Sequence, residues 1–369
     1  MRRIRRRVDL LKVGLEGTMV SEFLYILLAL VMLGVLVTVH EFGHYIVGRL
    51  SGIGIVEFSV GMGPKIFGWK RKGIAYSLRA IPLGGYCSFV GEDEENAASN
   101  AMNNQPVWKR LLTVLAGPGM NFVFAIVVAF VLLACFPFYE SVPDIYSVEE
   151  GTPAQTAGLM AGDTIVEING LEIAEDYAGV TMVTQMIRQN PEEKISLVVE
   201  RDGERISLEV TPALVGTEDG QPVYQIGIVF GAREFRYSLG QALSYAPRYC
   251  LEVLKAMLES LKNLIFKGEG VQDVGGPVAI VSMISTAAQN GVDWILDLLV
   301  IISLNLGLMN LLPIPGLDGG RVLFLLIEAV RRKPIPREKE GMVNAIGVLL
   351  VLGLIVLVTF QDVARLIAG

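Results

Sequence analysis

From Phe23 to Val39 the chain reads FLYILLALVMLGVLVTV, a run without a charge, and it passes directly into His40-Glu41-Phe42-Gly43-His44. A run of that length and character predicts a helix crossing a bilayer. A chain with such a segment must satisfy its backbone polar groups internally, which restricts it to packed helices at that depth. On a helix, positions i and i+4 share a face. His40 and His44 can therefore offer imidazole nitrogens to one ion, with Glu41 beside them to act on a water. They are the only two histidines in the chain, so any imidazole chemistry must use them. Ionisable groups in a membrane helix are costly and point to a functional site. The alternative is a chance match that caps a signal anchor, and it leaves the apolar placement of the motif unexplained.

The rest of the composition agrees with a membrane setting. Hydrophobic residues make up 52% and charged residues 19% of the 369-residue chain, too apolar a balance for an ordinary soluble protein. No basic stripe interleaved with aromatics is present, so a nucleic-acid partner is not expected. Cys87, Cys135 and Cys250 are scattered and form no C-x-x-C pair, which argues against both a disulfide framework and a cysteine metal site. The start, MRRIRRR, followed by an apolar run, resembles a secretory signal. No small-residue cleavage site follows it, so the first helix reads as uncleaved.

Five stretches are expected. Residues 1–20 are a basic tail. Residues 21–138 hold the first membrane half: the H-E-x-x-H helix, a glycine-broken alternating loop from Gly54 to Gly91 read as short strands and hairpins, a polar link from Glu92 to Gln105, and a second helix from about Leu111 to Phe136. Within that helix, Ala116-Gly117-Pro118-Gly119-Met120-Asn121 reads as helix-breaking. Asn121 either needs a polar partner at membrane depth or lies in a surface turn. Residues 139–232 form one soluble α+β domain. Its strands are Thr164–Ile168, Lys194–Arg201 and Arg205–Val210, its hairpin turns Asn169-Gly170 and Asp202-Gly203, and its helix Val180–Gln189. Residues 233–293 carry an amphipathic helix and a glycine-rich linker leading to the short apolar stretch Val278–Ile284. Residues 294–369 hold a third membrane segment from Ile295 to about Val330 and a fourth from Met342 to Phe360. The fold class is thus a polytopic α-helical membrane protein of about four spans, with a membrane-associated β-hairpin loop and one inserted α+β domain.

Basic residues orient the whole. Arg49, Lys65, Lys70, Arg71, Lys72, Arg79, Lys109 and Arg110 lie between helices one and two, and Arg331, Arg332, Lys333, Arg337 and Lys339 between helices three and four. The stretches 139–158 and 270–293 contain no Lys or Arg. Both basic loops should then be cytoplasmic and the inserted domain extracytoplasmic. The RRIRRR start contradicts that orientation, and translation from Met19 removes the conflict.

Two histidines leave a catalytic zinc site one protein ligand short. The candidate third is Asp318 in Asn310-Leu311-Leu312-Pro313-Ile314-Pro315-Gly316-Leu317-Asp318-Gly319-Gly320, where prolines and glycines break the helix. Broken backbone at that depth is tolerated where it lines a cavity. The competing role for Asp318 is an i,i+3 pair with Arg321. These paired motifs resemble the site-2 proteases, intramembrane zinc metalloproteases with HExxH in one helix and N-x-x-P-x-P-x-L-D-G in a later one. The stretch Gly151–Ile173 resembles a single bacterial PDZ domain. The order of the parts is similar to the bacterial branch that cleaves membrane-anchored anti-sigma factors, although its best-studied members carry two PDZ domains.

The resemblance implies Zn²⁺ held by His40, His44 and Asp318, Glu41 as the base, and Asn310 holding the substrate backbone. It also implies a transmembrane substrate in the bacterial inner membrane that an upstream site-1 protease has already cut. Glycine-punctuated strands at Ser77–Val90, including Gly84 and Gly85, offer an edge for β-augmentation of an unwound substrate, or merely cover the bundle. A non-catalytic PDZ adaptor is the alternative function, and it leaves the burial of Glu41 and Asp318 without a reason. A transporter with broken helices would favour internal repeat symmetry, which the sequence lacks.

Overall fold

The computed structural model describes residues 2–92, 96–218, 221–270 and 275–368. It divides into two compact units, Met1–Leu132 with Leu239–Gly369, and Leu133–Ser238. The expected basic tail over 1–20 and the start at Met19 involve side chains outside the described set. So do parts of the polar link (93–95) and of the glycine-rich linker (271–274).

Helix α1 (Arg2–Leu50) carries the apolar run and the H-E-x-x-H motif in its last turns. It stops where Gly52, at φ +77°, donates to Arg49 O and Ile53 donates to Gly48 O, a glycine C-cap. Strands β1 (Ile55–Arg71) and β2 (Ile74–Phe89) follow as one long antiparallel hairpin. This differs from the short strands expected. Lys72 and Gly73, at φ 50° and 83°, make the two-residue turn, and bulges accommodate Gly61, Gly63 and Gly84 at positive φ without ending the ladder.

Helix α2 (Val107–Cys135) runs unbroken through Gly117, Pro118 and Asn121, which corrects the expected break or surface turn. A proline inside a membrane helix forfeits one hydrogen bond, and neighbouring elements compensate. Glycines bring α1 and α2 into backbone contact: a Cβ on Gly43 would stand 2.1 Å from Ala116 O.

The inserted unit comprises β3 (Phe138–Val148), α3 (Pro153–Ala157), β4 (Thr164–Ile168), β5 (Leu171–Glu172), α4 (Tyr177–Gln189), β6 (Ile195–Arg201), β7 (Glu204–Val210), β8 (Ala213–Glu218), β9 (Gln221–Gln225) and β10 (Ile228–Phe235). The main sheet has the order β10-β3-β4-β6-β7 with β5 on β4, and β8–β9 is a separate hairpin. Positive φ at both residues of Asn169-Gly170 and of Asp202-Gly203 matches the turns read from sequence. Inward-facing Ile195, Leu197 and Val199 alternate along β6, a register shift in β4 turns both Ile165 and Ile168 inward, and all pack with Val183 of α4 as the core. Asp163 is buried, and Arg201 Nε lies 2.6 Å from its Oδ1. Burial alone would raise that carboxyl; the Arg201 hydrogen bonds, the Met160 N–H and the Arg201 charge outweigh it and hold the group below the usual carboxylate range.

The chain returns as α5 (Leu239–Lys267), α6 (Pro277–Asn290), α7 (Val292–Leu311), α8 (Asp318–Arg331) and α9 (Arg337–Ala368). The single third segment expected from Ile295 to Val330 is therefore two helices. Pro313 and Pro315 cannot continue the ladder, and Gly316 turns the chain at φ 92°. Val278–Ile284 belongs to α6, which packs Ile284 and Ala287 against Ala29 and Met32 of α1. Asp362 Oδ2 of α9 accepts from Gly276 N and Ala279 N and so caps α6. Among the described residues four helices are long and apolar enough to cross a membrane: Phe23–Leu50, Val107–Cys135, Val292–Leu311 and Glu338–Arg365.

Candidate metal centre

The site forms where α1, α2, β2 and the start of α8 meet. Helix periodicity places His40 above His44, and their Nε2 atoms stand 3.2 Å apart. Asp318 Oδ2 lies 3.0 Å from His40 Nε2 and 3.3 Å from His44 Nε2. The alternative pairing of Asp318 is not what the fold adopts, because Arg321 Nη1 binds Glu92 Oε1 instead.

Local sequence explains how Asp318 arrives there. It opens α8, where a carboxylate is favoured at the positive end of the helix dipole. The proline-rich turn folds back over that first turn of helix. A Cβ on Gly319 would lie 2.1 Å from Leu312 O, and one on Gly320 2.5 Å from Ile314 O, so only glycines fit beneath it. Helix α9 holds the turn from the other side, with Gly347 close against Pro315 O.

The donor set fits a zinc ion. A tetrahedron with metal–ligand bonds of about 2.05 Å has edges of about 3.3 Å, and the three ligand atoms are spaced 3.0–3.3 Å apart. Asp318 Oδ2 is buried without a hydrogen-bond partner, as expected of an atom whose partner is a cation. Two imidazoles, a carboxylate and an open side make a catalytic rather than a structural donor set. The open side is a cavity of about 270 Å³, lined by Glu41, Tyr86, Cys87, Asn310 and Asp318 among others.

Glu41 borders this cavity, across from Cys87 of β2. Asn310 also lines it, with Nδ2 donating to Leu306 O on its own helix at 2.9 Å. A Cβ on Gly85 would lie 2.8 Å from Ser59 O of β1 and in ordinary contact, at 3.5 Å, with Glu41 Cγ of α1; Gly84, at φ +89°, turns the strand beside Met62. Sequence reading missed three contributors. Thr113 O binds His44 Nδ1 at 2.9 Å, and a backbone acceptor leaves no trace in side-chain type. Gly117 faces both imidazoles, and its signal was the A-G-P-G stretch in α2. The Glu92–Arg321 pair joins residues far apart in the chain and has no local signature.

The model of Peptidase family M50 matches residues 28–354. A Brucella suis protein bearing the name zinc metalloprotease is 34% identical, covering 90% of this chain and 93% of its own length. A Clostridium perfringens protein of like name is 35% identical, covering 92% and 98%. The regulator of sigma-W protease RasP of Bacillus subtilis is 29% identical, covering 91% and 97%. Among solved structures, the PDZ domain of an SdrC-like protein from Listeria monocytogenes aligns with 25% of this chain and 90% of its own, at 21% identity and a TM-score of 0.20, too low to carry an argument. With a match that begins in the first apolar helix and ends in the last, the chain belongs to peptidase family M50 and is a protease with several membrane-spanning helices.

Proposed function

We propose that the chain is a zinc-dependent intramembrane endopeptidase. It hydrolyses a peptide bond within or near the transmembrane segment of a membrane protein that an upstream protease has already shortened. The substrate class is that of anti-sigma factors, a reading supported by the likeness to a regulator of sigma-W, with signal-peptide remnants as further substrates. The observation that carries the proposal is the triangle of His40, His44 and Asp318 ligand atoms around one buried, otherwise unpartnered carboxylate oxygen.

Zinc, when bound, supplies Lewis acidity that polarises a carbonyl and acidifies a water. His40, His44 and Asp318 would hold it. Glu41 takes the proton from the attacking water and passes it to the leaving amine. Strand β2 runs beside the catalytic carboxylate, a Cβ on Gly85 lying 3.5 Å from Glu41 Cγ. Among the described residues β2 pairs on one side only. An unwound substrate added along the unpaired edge would lie extended beside Glu41, with Gly84 and Gly85 leaving room and Asn310 binding its backbone. Exposed Ile66, Phe67 and Trp69 on β1 support a hairpin that lies in the bilayer. The inserted unit, read as one PDZ domain on the extracytoplasmic side of the inner membrane, selects substrates and takes no part in the chemistry.

The test uses purified protein and a model transmembrane substrate. Glu41→Gln should retain zinc and lose cleavage, whereas Asp318→Asn should lose both. Near-normal turnover by Glu41→Gln, or full zinc content in Asp318→Asn, would refute the mechanism.

A further inference from the structure

We propose that Asn121 is a positioning residue that fixes the ring of His40 in the one tautomer able to bind metal through Nε2. The inference deepens the metal-site reading and rests on it. Asn121 is fully buried in α2, and its side-chain amide stands 3.1 Å from His40 Nδ1. Its backbone carbonyl accepts the Ser303 hydroxyl of α7 at 2.8 Å, which ties that point of α2 to a third helix.

A neutral imidazole carries its proton on one nitrogen only, and the hydrogen bond made by the other nitrogen decides which. For Nε2 of each histidine to point a lone pair at a cation shared with Asp318, Nδ1 must be protonated and must find an acceptor. His44 has that acceptor in Thr113 O. His40 has no backbone carbonyl in this role; the Asn121 amide is what faces its Nδ1. An amide presents an acceptor or a donor from the same position after half a turn, and the hydrogen-bond network decides which. With the nitrogen toward His40, the Asn121 oxygen is a buried polar atom without a partner, and it is the need for a ligating Nε2, not that atom, that selects the other orientation. With the oxygen toward His40, Nδ1–H donates to it and Nε2 is freed to ligate. Helix α2 thus supplies the outer partner of both histidines, one from its backbone and one from a side chain. Such outer partners orient the ring and raise its basicity toward the metal.

The test measures zinc affinity by chelator competition on the full-length protein in detergent, with cleavage followed separately. Asn121→Leu keeps the branched outline and removes the acceptor; zinc should bind about 10–100-fold more weakly. Asn121→Asp supplies an acceptor that needs no half-turn, and zinc should bind as tightly as in the wild type or more tightly. Ser303→Ala, which removes only the tie to the backbone, should leave affinity unchanged. A purely structural role predicts that Asn121→Asp, a buried charge, is at least as harmful as Asn121→Leu. That result would overturn the proposal, as would unchanged affinity in Asn121→Leu. Should the leucine variant not accumulate, the aspartate variant alone decides. Failure of the wild type to bind zinc would instead defeat the metal-site reading.

Discussion

Gly117 offers the sharpest perturbation of the site, because one methyl group can be placed among the ligands without altering any of them. A Cβ at Gly117 would stand 2.2 Å from His44 Nε2, 2.5 Å from His44 Cε1 and 2.9 Å from His40 Nε2. Ordinary non-bonded separations are about 3.5 Å, so His44 would have to retreat by about 1.3 Å. A zinc site tolerates displacements of roughly 0.2 Å in its ligand distances. The Gly117→Ala variant should therefore lose at least about 100-fold in zinc affinity, near 2.7 kcal/mol. Overpacking should lower its stability by about 1–3 kcal/mol. Gly119 lies two residues on in the same helix, and a Cβ there meets nothing within 4 Å. Gly119→Ala should keep zinc and cleavage, and gain up to about 1 kcal/mol of helix propensity. Zinc content after chelator competition, thermal unfolding in detergent and cleavage of a transmembrane substrate distinguish the two variants. Wild-type zinc affinity in Gly117→Ala would refute the placement of α2 against the histidines.

Three further predictions concern the orientation of the chain and the inserted unit. Reporter fusions at Asn190 should read extracytoplasmic and fusions at Lys333 cytoplasmic; the reverse pattern would overturn the charge argument. Arg201→Ala leaves the Asp163 carboxylate with the Met160 N–H and should destabilise the inserted unit, seen as lower amide protection in β4 and β6 of the intact protein. The Asp163 carboxyl is depressed below 3.8, so its stabilisation is present above that pH and is lost as the pH falls through the lower folded value. Amide protection in the same strands, corrected for the pH dependence of intrinsic exchange, should fall below about pH 4 in the wild type, and a flat corrected profile there would remove the pair from the account.

Local signals were read well where one stretch carries its own reason. The N-G and D-G turns fixed the hairpins of the inserted unit because a two-residue turn requires positive φ at both positions. The H-E-x-x-H spacing placed both imidazoles on one face, and the prolines of 313–315 marked the break before Asp318. What escaped depends on neighbours that are remote in sequence. The Gly117–Asn121 stretch looked like a helix breaker, yet its glycine is there for the imidazoles and its asparagine for His40, and the helix continues through both. The glycines at 61, 63 and 84 looked like strand ends, yet in a ladder they are bulges, because the pairing resumes beyond each.

Counting residues along straight rods suggests that the ligands should not meet. His44 lies five residues before Arg49, about 8 Å of helix, while Asp318 lies thirteen before Arg331, about 20 Å. Yet His44 Nε2 and Asp318 Oδ2 are 3.3 Å apart. The first assumption to fail is that of a rod. Helix α8 begins at Asp318, after the turn at 312–317, so the depth of the carboxylate is set by that turn and not by its distance from the far end of a continuous span. The second is that basic residues mark the water boundary. Arg110 pairs with Glu328 with both side chains largely covered, and Arg321 pairs with Glu92, so a basic residue here can have its counter-charge within the protein and need not mark the boundary. A straight helix through Asp318 would also have committed its backbone to its own ladder. The break instead presents a helix start to the histidines, which brings the carboxylate to their level with its Oδ2 free to face a cation.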